Sequence, residues 1–277
     1  MKRNIIGVFI LLFIILCHYA CKDKKQEVAP YVPMVMSIET GTLTEDMPEA
    51  TPIDELFDDF IYHFTSEEEF QRKRIIFPLP YNELNSFSKI KKQDWQYNTL
   101  FNQGGYCTIF FDKEEDMELT KDTSLTSVQV EWIYPEKQIM KKYCFERIKK
   151  VWCLDAINIF TIENGKEENF VDFFIHFSND TLFQQERIKR PLTFVTNDPD
   201  DDFSIIRTTL GRDQWSVFKP EFPTGDIINI NYGQQNSNNS IKKIVALKSI
   251  GNGFSNTLYF QRKENKWELY KFEDISN

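Results

Sequence analysis

The chain has 277 residues, with 33 Lys and Arg against 42 Asp and Glu, and 15% of it is aromatic, including 25 Phe. An acidic balance of this kind excludes nucleic acid and an anionic membrane face as main partners, because both are held by basic patches. With ten Gly in the whole chain, there is little from which to build a phosphate cradle of backbone N–H groups.

The N-terminus opens with Lys2 and Arg3 and runs apolar from Ile5 to Cys17, before His18-Tyr19-Ala20-Cys21 and a lysine-rich stretch. A helix crossing the hydrocarbon core needs about 20 apolar residues. This shorter run after two cations reads as an export signal over 1–20. Ala20 before Cys21 resembles the lipobox of bacterial lipoproteins, although His18 stands where that pattern has a branched apolar residue. Cys17 follows bulky Leu16, so Cys21 is the expected lipidation site. Without Lys2 and Arg3 the balance is 31 basic to 42 acidic residues, a net charge of −11. Residues 21–52 carry Pro30, Pro33, Pro48 and Pro52 and no periodicity, which predicts a tether. A coil of that length spans roughly 30 Å and at most about 110 Å, so the folded part is held close to a membrane.

Sliding the chain against itself by 113 residues lays 57–79 over 170–192, with 11 of 23 positions identical. Phe57, Asp59, Phe60, His63 and Phe64 lie over Phe170, Asp172, Phe173, His176 and Phe177. Phe70, Gln71, Arg74, Ile75, Pro78 and Leu79 lie over Phe183, Gln184, Arg187, Ile188, Pro191 and Leu192. Later landmarks recur in the same order: Trp95 with Trp215, and Phe145-x-Arg147-x4-Trp152-x-Leu154 with Phe260-x-Arg262-x4-Trp267-x-Leu269. Chance does not produce this, and the reading is a tandem duplication of units 53–162 and 163–277, divided at the turn Glu163-Asn164-Gly165-Lys166.

Within the first unit, Ile53, Phe57, Phe60, Ile61 and Phe64 recur at three and four, one face of a helix, with Asp54 and Glu55 suited to its N-terminal end. Ser66 and Glu69 have capping-box spacing for a second short helix, which must stop before Pro78. Strand composition follows at 106–111, 125–134, 139–147 and 151–160, and in the second unit at 227–232, 242–249, 256–262 and 267–272. Short turns at Gly251-Asn252-Gly253 and at 263–266 predict hairpins. The expected fold class is therefore α+β: two tandem repeats, each with N-terminal helices packed on a curved four-stranded antiparallel sheet.

The repeated F-x-x-F-x-x-x-F helix, the Phe-Gln-x-x-Arg-Ile run closing on Pro-Leu, and the paired Trp signatures resemble a family of lipoproteins of Gram-negative bacteria known as domain of unknown function 4348. The resemblance covers nearly all of the mature chain. It implies the cone-shaped architecture of nuclear-transport-factor-like and cystatin-like folds, and it implies no activity.

Several residues are candidates for chemistry. Asp59 with His63, and Asp172 with His176, have the i,i+4 spacing that lets a carboxylate orient an imidazole base. On the helical wheel both pairs lie away from the Phe stripe, which favours solvent-side ion pairs. Arg74 and Arg187 are candidate ligand-binding residues, since an arginine aimed at a carboxylate is a common recognition device. A helix carboxylate or a loop carbonyl is the competing partner. Trp95, Trp152, Trp215 and Trp267 suit sugar stacking, but equal placement in both units favours packing. The run Asp198-Pro199-Asp200-Asp201-Asp202 superficially resembles a calcium loop; it lacks the glycine (Phe203) and the closing glutamate (Thr209), and reads as an acidic loop inserted in the second unit. No metal site and no cofactor are expected. Cys144 and Cys153 flank a hairpin turn near 148–150. A two-residue turn at Ile148-Lys149 would put them directly opposite, within reach of a disulfide that leaves Cys107 free, whereas a longer turn like that at 263–266 would make them diagonal neighbours, where a bridge is marginal.

The function expected from the sequence is that of a non-catalytic cell-envelope lipoprotein, anchored at the outer membrane by its lipid. It would bind a small ligand or an envelope protein through the sheet concavity or the cleft between repeats. The alternatives are a cone-fold isomerase or hydrolase using the Asp/His pairs, and a cystatin-like inhibitor.

Overall fold

The computed structural model describes residues 48–101, 106–162, 169–237, 239–249 and 255–276. The signal segment, Cys21, most of the tether, the boundary turn at 163–166 and the glycine turn at 251–253 lie outside these residues.

Helix α1 (Phe57–Ser66) buries Phe57, Phe60, Ile61 and Phe64, the stripe that the spacing dictates. It breaks at Glu67, which is extended, and α2 (Glu68–Lys73) follows at once. The capping box expected from Ser66 and Glu69 is not formed. Ser66 is the last residue of α1, and its hydroxyl donates back to the Tyr62 carbonyl at 2.7 Å, so α2 is entered from Glu67 without a side-chain cap. The second half repeats the pair as α3 (Phe170–Asn179) and α4 (Thr181–Glu186). Here Asp180 does cap α4, accepting from the N–H groups of Leu182 and Phe183 at 2.8 and 3.0 Å.

Six strands follow α2 and six follow α4. They are β1 (Leu79–Glu83), β2 (Ser86–Ile90), β3 (Tyr106–Phe111), β4 (Ser127–Tyr134), β5 (Ile139–Ile148) and β6 (Val151–Thr161), then β7 (Ile188–Asp198), β8 (Asp201–Leu210), β9 (Ile227–Asn231), β10 (Lys242–Ser249), β11 (Ser255–Lys263) and β12 (Lys266–Asp274). Helix α5 (Arg212–Phe218) is placed between β8 and β9. The hairpins β1–β2 and β7–β8 were missed in the sequence because Pro78, Pro80 and Pro191 interrupt their pattern.

All twelve strands form one sheet, in the order β2-β1-β6-β5-β4-β9-β3-β10-β11-β12-β7-β8. This corrects the expectation of two separate four-stranded sheets. Read inward from either edge, corresponding strands follow in the same order until the centre, where β9 of the second half lies beside β4 and β3 of the first half lies beside β10. β3 and β9 meet in parallel, and the other parallel pairs are β1 with β6 and β7 with β12. The ladder between β3 and β9 is short, one register pair at Thr108 and Asn229, and buried side chains complete it. The Thr108 hydroxyl donates to the Ile228 carbonyl at 2.9 Å, Asn229 Oδ1 accepts from the Phe110 N–H at 3.2 Å, and Gln234 Nε2 donates to the Phe110 carbonyl at 3.1 Å. These bonds satisfy backbone groups that a regular ladder would otherwise pair.

Two apolar clusters flank the sheet. One joins α1 to Ile109 and Phe111 of β3, Ile228 and Ile230 of β9, and Ile244 of β10. The other joins α3 to Phe110, Ile227, Val245 and Leu247 of the same strands. Neighbouring residues of a strand point to opposite faces, so α1 and α3 cover opposite faces of one sheet, and its central strands are buried on both sides.

Candidate functional site

The residues singled out in the sequence are mostly committed to structure. Asp59 and Asp172 are exposed in the first turns of α1 and α3. Their histidines bond forward instead of back: His63 Nδ1 lies 2.6 Å from Glu67 Oε1, and His176 Nε2 lies 3.4 Å from Asp180 Oδ2. Glu67 and Asp180 occupy the extended break between paired helices, where the carboxylate folds back over the last helical turn. Neither Asp/His pair forms the arrangement a general base requires.

Arg74 is not available to a ligand. Its two terminal nitrogens hold Asp54 Oδ1 at 2.8 Å and Oδ2 at 3.1 Å, with both side chains buried. Asp54 also accepts from the N–H groups of Thr51, at 3.0 Å, and Trp152, at 3.1 Å. Burial pushes the Asp54 carboxyl up, but the bonds from Thr51, Arg74 and Trp152 outweigh it and hold the group below the usual carboxylate range. Arg187 is half-buried, lies over the Phe183 ring and donates to the Trp267 carbonyl at 3.2 Å.

Trp95, Trp152, Trp215 and Trp267 are buried. The indole N–H of Trp95 donates to Gln71 Oε1 at 3.0 Å, and that of Trp215 to Gln184 Oε1 at 3.2 Å. The amide nitrogen of each Gln in turn donates to the Phe64 or Phe177 carbonyl that ends the preceding helix. Trp152 and Trp267 meet Phe57 and Phe170 edge-on, with ring centroids 5.2 and 4.9 Å apart. The acidic run forms the tight turn at the tip of the β7–β8 hairpin, which is longer than its β1–β2 counterpart: Asp198 pairs with Asp201 across Pro199-Asp200. Among the described residues, no group of three or more His, Cys, Asp or Glu is placed to hold a metal ion.

Cys107, Cys144 and Cys153 are free thiols, which corrects the expected bridge. The turn sits one residue later than assumed, at Lys149-Lys150, both with positive φ, so Ile148 pairs with Val151 and Cys153 opposes Glu146. A bulge at Asp155 then sets Cys144 opposite Ala156. Burial pushes the Cys107 thiol up to about 12 and those of Cys144 and Cys153 to about 11, so none has the low pKa of a reactive cysteine.

The residues that stand out chemically were not marked in the sequence. Phe145 of β5 packs against Phe57, Phe60 and Phe64. Four residues along the same face of β5, roughly 13 Å away at the usual strand rise, is Lys141. Its ammonium lies 4.8 Å from the Tyr143 ring centroid and 5.9 Å from that of Tyr81. No hydrogen-bond or ion-pair partner for it is found among the described residues. Burial pulls its pKa down, opposed by the nearby Tyr81 and Glu83. Trp132 and Tyr134 stack on the neighbouring strand, 5.8 Å apart at 24°. Burial, with Tyr143, Asp226 and Tyr81 nearby, pushes the Tyr134 phenol up to about 12. Asn98 donates to the Tyr143 hydroxyl at 3.2 Å, and Trp132 donates its indole N–H to the Leu100 carbonyl at 2.8 Å. By register these side chains share one face of the sheet, beyond the Phe145 contact with α1, and together make a half-buried aromatic mouth around Lys141.

Strand register places the counterparts of Tyr81, Trp132, Tyr134, Lys141 and Tyr143 at Phe194, Leu247, Ser249, Asn256 and Leu258. All five counterparts are buried, and Phe218 of α5 packs over Phe194 with centroids 5.5 Å apart. The same frame therefore closes as ordinary core in one half and carries a lysine among tyrosines in the other. Sequence reasoning missed the site because Lys141 and Tyr143 fit a plain strand. Residue-by-residue comparison of the two units beyond the Trp landmarks is the signal that would have found it.

No curated protein is significantly similar to the chain. Among solved structures, it is similar to an NTF2-like protein from Bacteroides fragilis NCTC 9343, known from a crystal structure. The two share 57% sequence identity with a TM-score of 0.79, over 83% of this chain and all of the other. The family model for a domain of unknown function, DUF4348, matches residues 36–274. The chain belongs to the DUF4348 family, and its α+β fold is of the NTF2-like kind.

Proposed function

We propose that the protein is a non-catalytic lipoprotein of the cell envelope, anchored through Cys21, that binds a small ligand in the mouth formed by Tyr81, Trp132, Tyr134, Lys141 and Tyr143. Its body is read as two copies of one helix-then-meander unit that have exchanged one strand each, β3 for β9.

One observation carries the binding reading. A half-buried ammonium without an acceptor opposes folding, and packing does not require it, because Asn256 and its apolar neighbours fill the equivalent place in the other half. A group kept against the interest of stability, among aromatic side chains with perturbed neighbours, supports a binding site. The isomerase or hydrolase alternative finds no support in His63 and His176, which bond to Glu67 and Asp180 outside the mouth.

The test has two arms. Wild-type protein is expected in the membrane fraction and Cys21→Ala in the soluble fraction; wild type recovered wholly in the soluble fraction sinks the anchoring. For binding, the purified mature chain is incubated with an extract of envelope small molecules, and native mass spectrometry reads the bound compound. Retention by wild type and loss in Lys141→Asn with Tyr134→Phe supports the mouth, whereas equal retention by both proteins refutes it.

A further inference from the structure

We infer that the mouth takes a monoanionic acid with an apolar, ring-like body, its carboxylate on the Lys141 ammonium and the hydroxyls of Tyr81 and Tyr134, its body against the aromatic walls. This deepens the binding reading above and rests on it.

The donors lie on one face of the sheet and lack an acceptor of their own. Lys141 has no acceptor among the described residues, and the hydroxyls of Tyr81 and Tyr134 make no hydrogen bond among them. The third phenol, on Tyr143, is buried and accepts from Asn98, so it is not among the donors open to a ligand. Three such donors on one sheet face, one of them charged, call for an acceptor that carries negative charge, because charge-assisted bonds repay desolvation that neutral ones do not.

Charge balance selects the valence. Lys141 is the half-buried cation of the mouth, the exposed Lys137 ammonium lies 5.3 Å from the Tyr134 ring centroid, and Glu83 and Asp226 stand close enough to act on Lys141 and Tyr134 respectively. Two cations, one of them screened by solvent, against two carboxylates leave room for one negative charge; a phosphate monoester near its dianionic form would meet repulsion from Glu83 and Asp226. Donor type points the same way. Bidentate phosphate recognition uses arginine forks or backbone N–H cradles; the donors of the mouth are a lysine and two phenols, the Trp132 indole N–H being held by the Leu100 carbonyl.

Shape selects the body. The rings of Tyr81 and Tyr143 flank the lysine, and Trp132 stacks on Tyr134 beside them. Flat aromatic walls gain most from a flat or apolar partner, so a short aliphatic acid leaves much of the surface unused.

The experiment uses the purified mature chain and four probes, benzoate, benzamide, acetate and phenyl phosphate, titrated at pH 7 and read by tryptophan fluorescence and calorimetry. Benzoate is expected to bind at least about ten-fold tighter than benzamide or acetate, the span that one charge-assisted bond or one buried ring commands. Phenyl phosphate is expected to bind no tighter than benzoate. Lys141→Gln should abolish the difference between benzoate and benzamide, and Lys141→Arg should keep it. Circular dichroism of each variant confirms the fold. If benzamide matches benzoate, and Tyr134→Phe weakens both, acid recognition is overturned while the mouth stands as a ligand site. Phenyl phosphate tighter than benzoate overturns the monoanion assignment. Failure of every probe to bind at millimolar concentration overturns the inference, and the extract experiment then decides separately whether the mouth binds anything.

Discussion

Asp54 and Arg74 meet through both carboxylate oxygens and both terminal guanidinium nitrogens, at 2.8 and 3.1 Å, where solvent does not reach either group. Because the Asp54 carboxyl is held below its ordinary value, the folded chain binds fewer protons there than the unfolded chain. The resulting stability is fully present above about pH 4, the unfolded value, and is lost as pH falls through the lower folded value. Urea denaturation between pH 7 and pH 2.5 should show wild type losing stability over this window, with Asp54→Asn flatter across it. Removing one partner at pH 7, as in Arg74→Met, should cost about 3–5 kcal/mol, because it strands a buried carboxylate.

Lys141 gives the opposite sign. Its pKa is lowered by burial, so the charged lysine costs stability at neutral pH, and that cost disappears as pH rises through the unfolded value near 10.4. Lys141→Met should therefore raise stability by about 1 kcal/mol at pH 7, and the advantage should shrink towards pH 10.5 in guanidinium titrations. A variant less stable than wild type at pH 7 would show that the lysine serves packing.

The thiols should be silent. With Cys107 pushed up to about 12 and Cys144 and Cys153 to about 11, a disulfide exchange reagent at pH 8 should modify none of the three quickly in the native protein and all three after denaturation. Mass spectrometry of a non-reduced digest should recover the three peptides unlinked. A Cys144–Cys153 linked peptide would contradict the observed hairpin register.

The halves should not fold apart. A fragment ending at residue 162 keeps β3 without its antiparallel partner β10 and leaves β4 without β9, exposing strand edges and the apolar face of both. Alone it should aggregate or lack dispersed amide resonances; coexpressed with the remainder it should yield a soluble complex. A monomeric, well-dispersed fragment would show that β3 can return to β4.

What was legible in the sequence was what is local. Phe57, Phe60 and Phe64 declare a helix by spacing alone, and eight of the strands fall within a few residues of where alternation puts them. Pairing across the middle was hidden, because Ile109 and Phe110, like Ile228 and Ile227, are apolar towards both faces. A strand buried on both sides carries no mark of which neighbour it joins. The bulge at Asp155 is equally silent, and a one-residue difference in the turn was enough to move Cys144 and Cys153 out of opposition. Lys141 was passed over because a cation in a strand reads as solvent-facing until its neighbours are known.

The trade of β3 for β9 also bears on how such a chain changes over generations. Once each half keeps a strand of the other, a substitution in Ile228 or Ile230 is felt by the cluster around α1, not by the one around α3. On the proposed reading of two exchanged copies, neither half could be shuffled into another protein or lost singly, and a difference such as Lys141 against Asn256 falls outside the strands that join them.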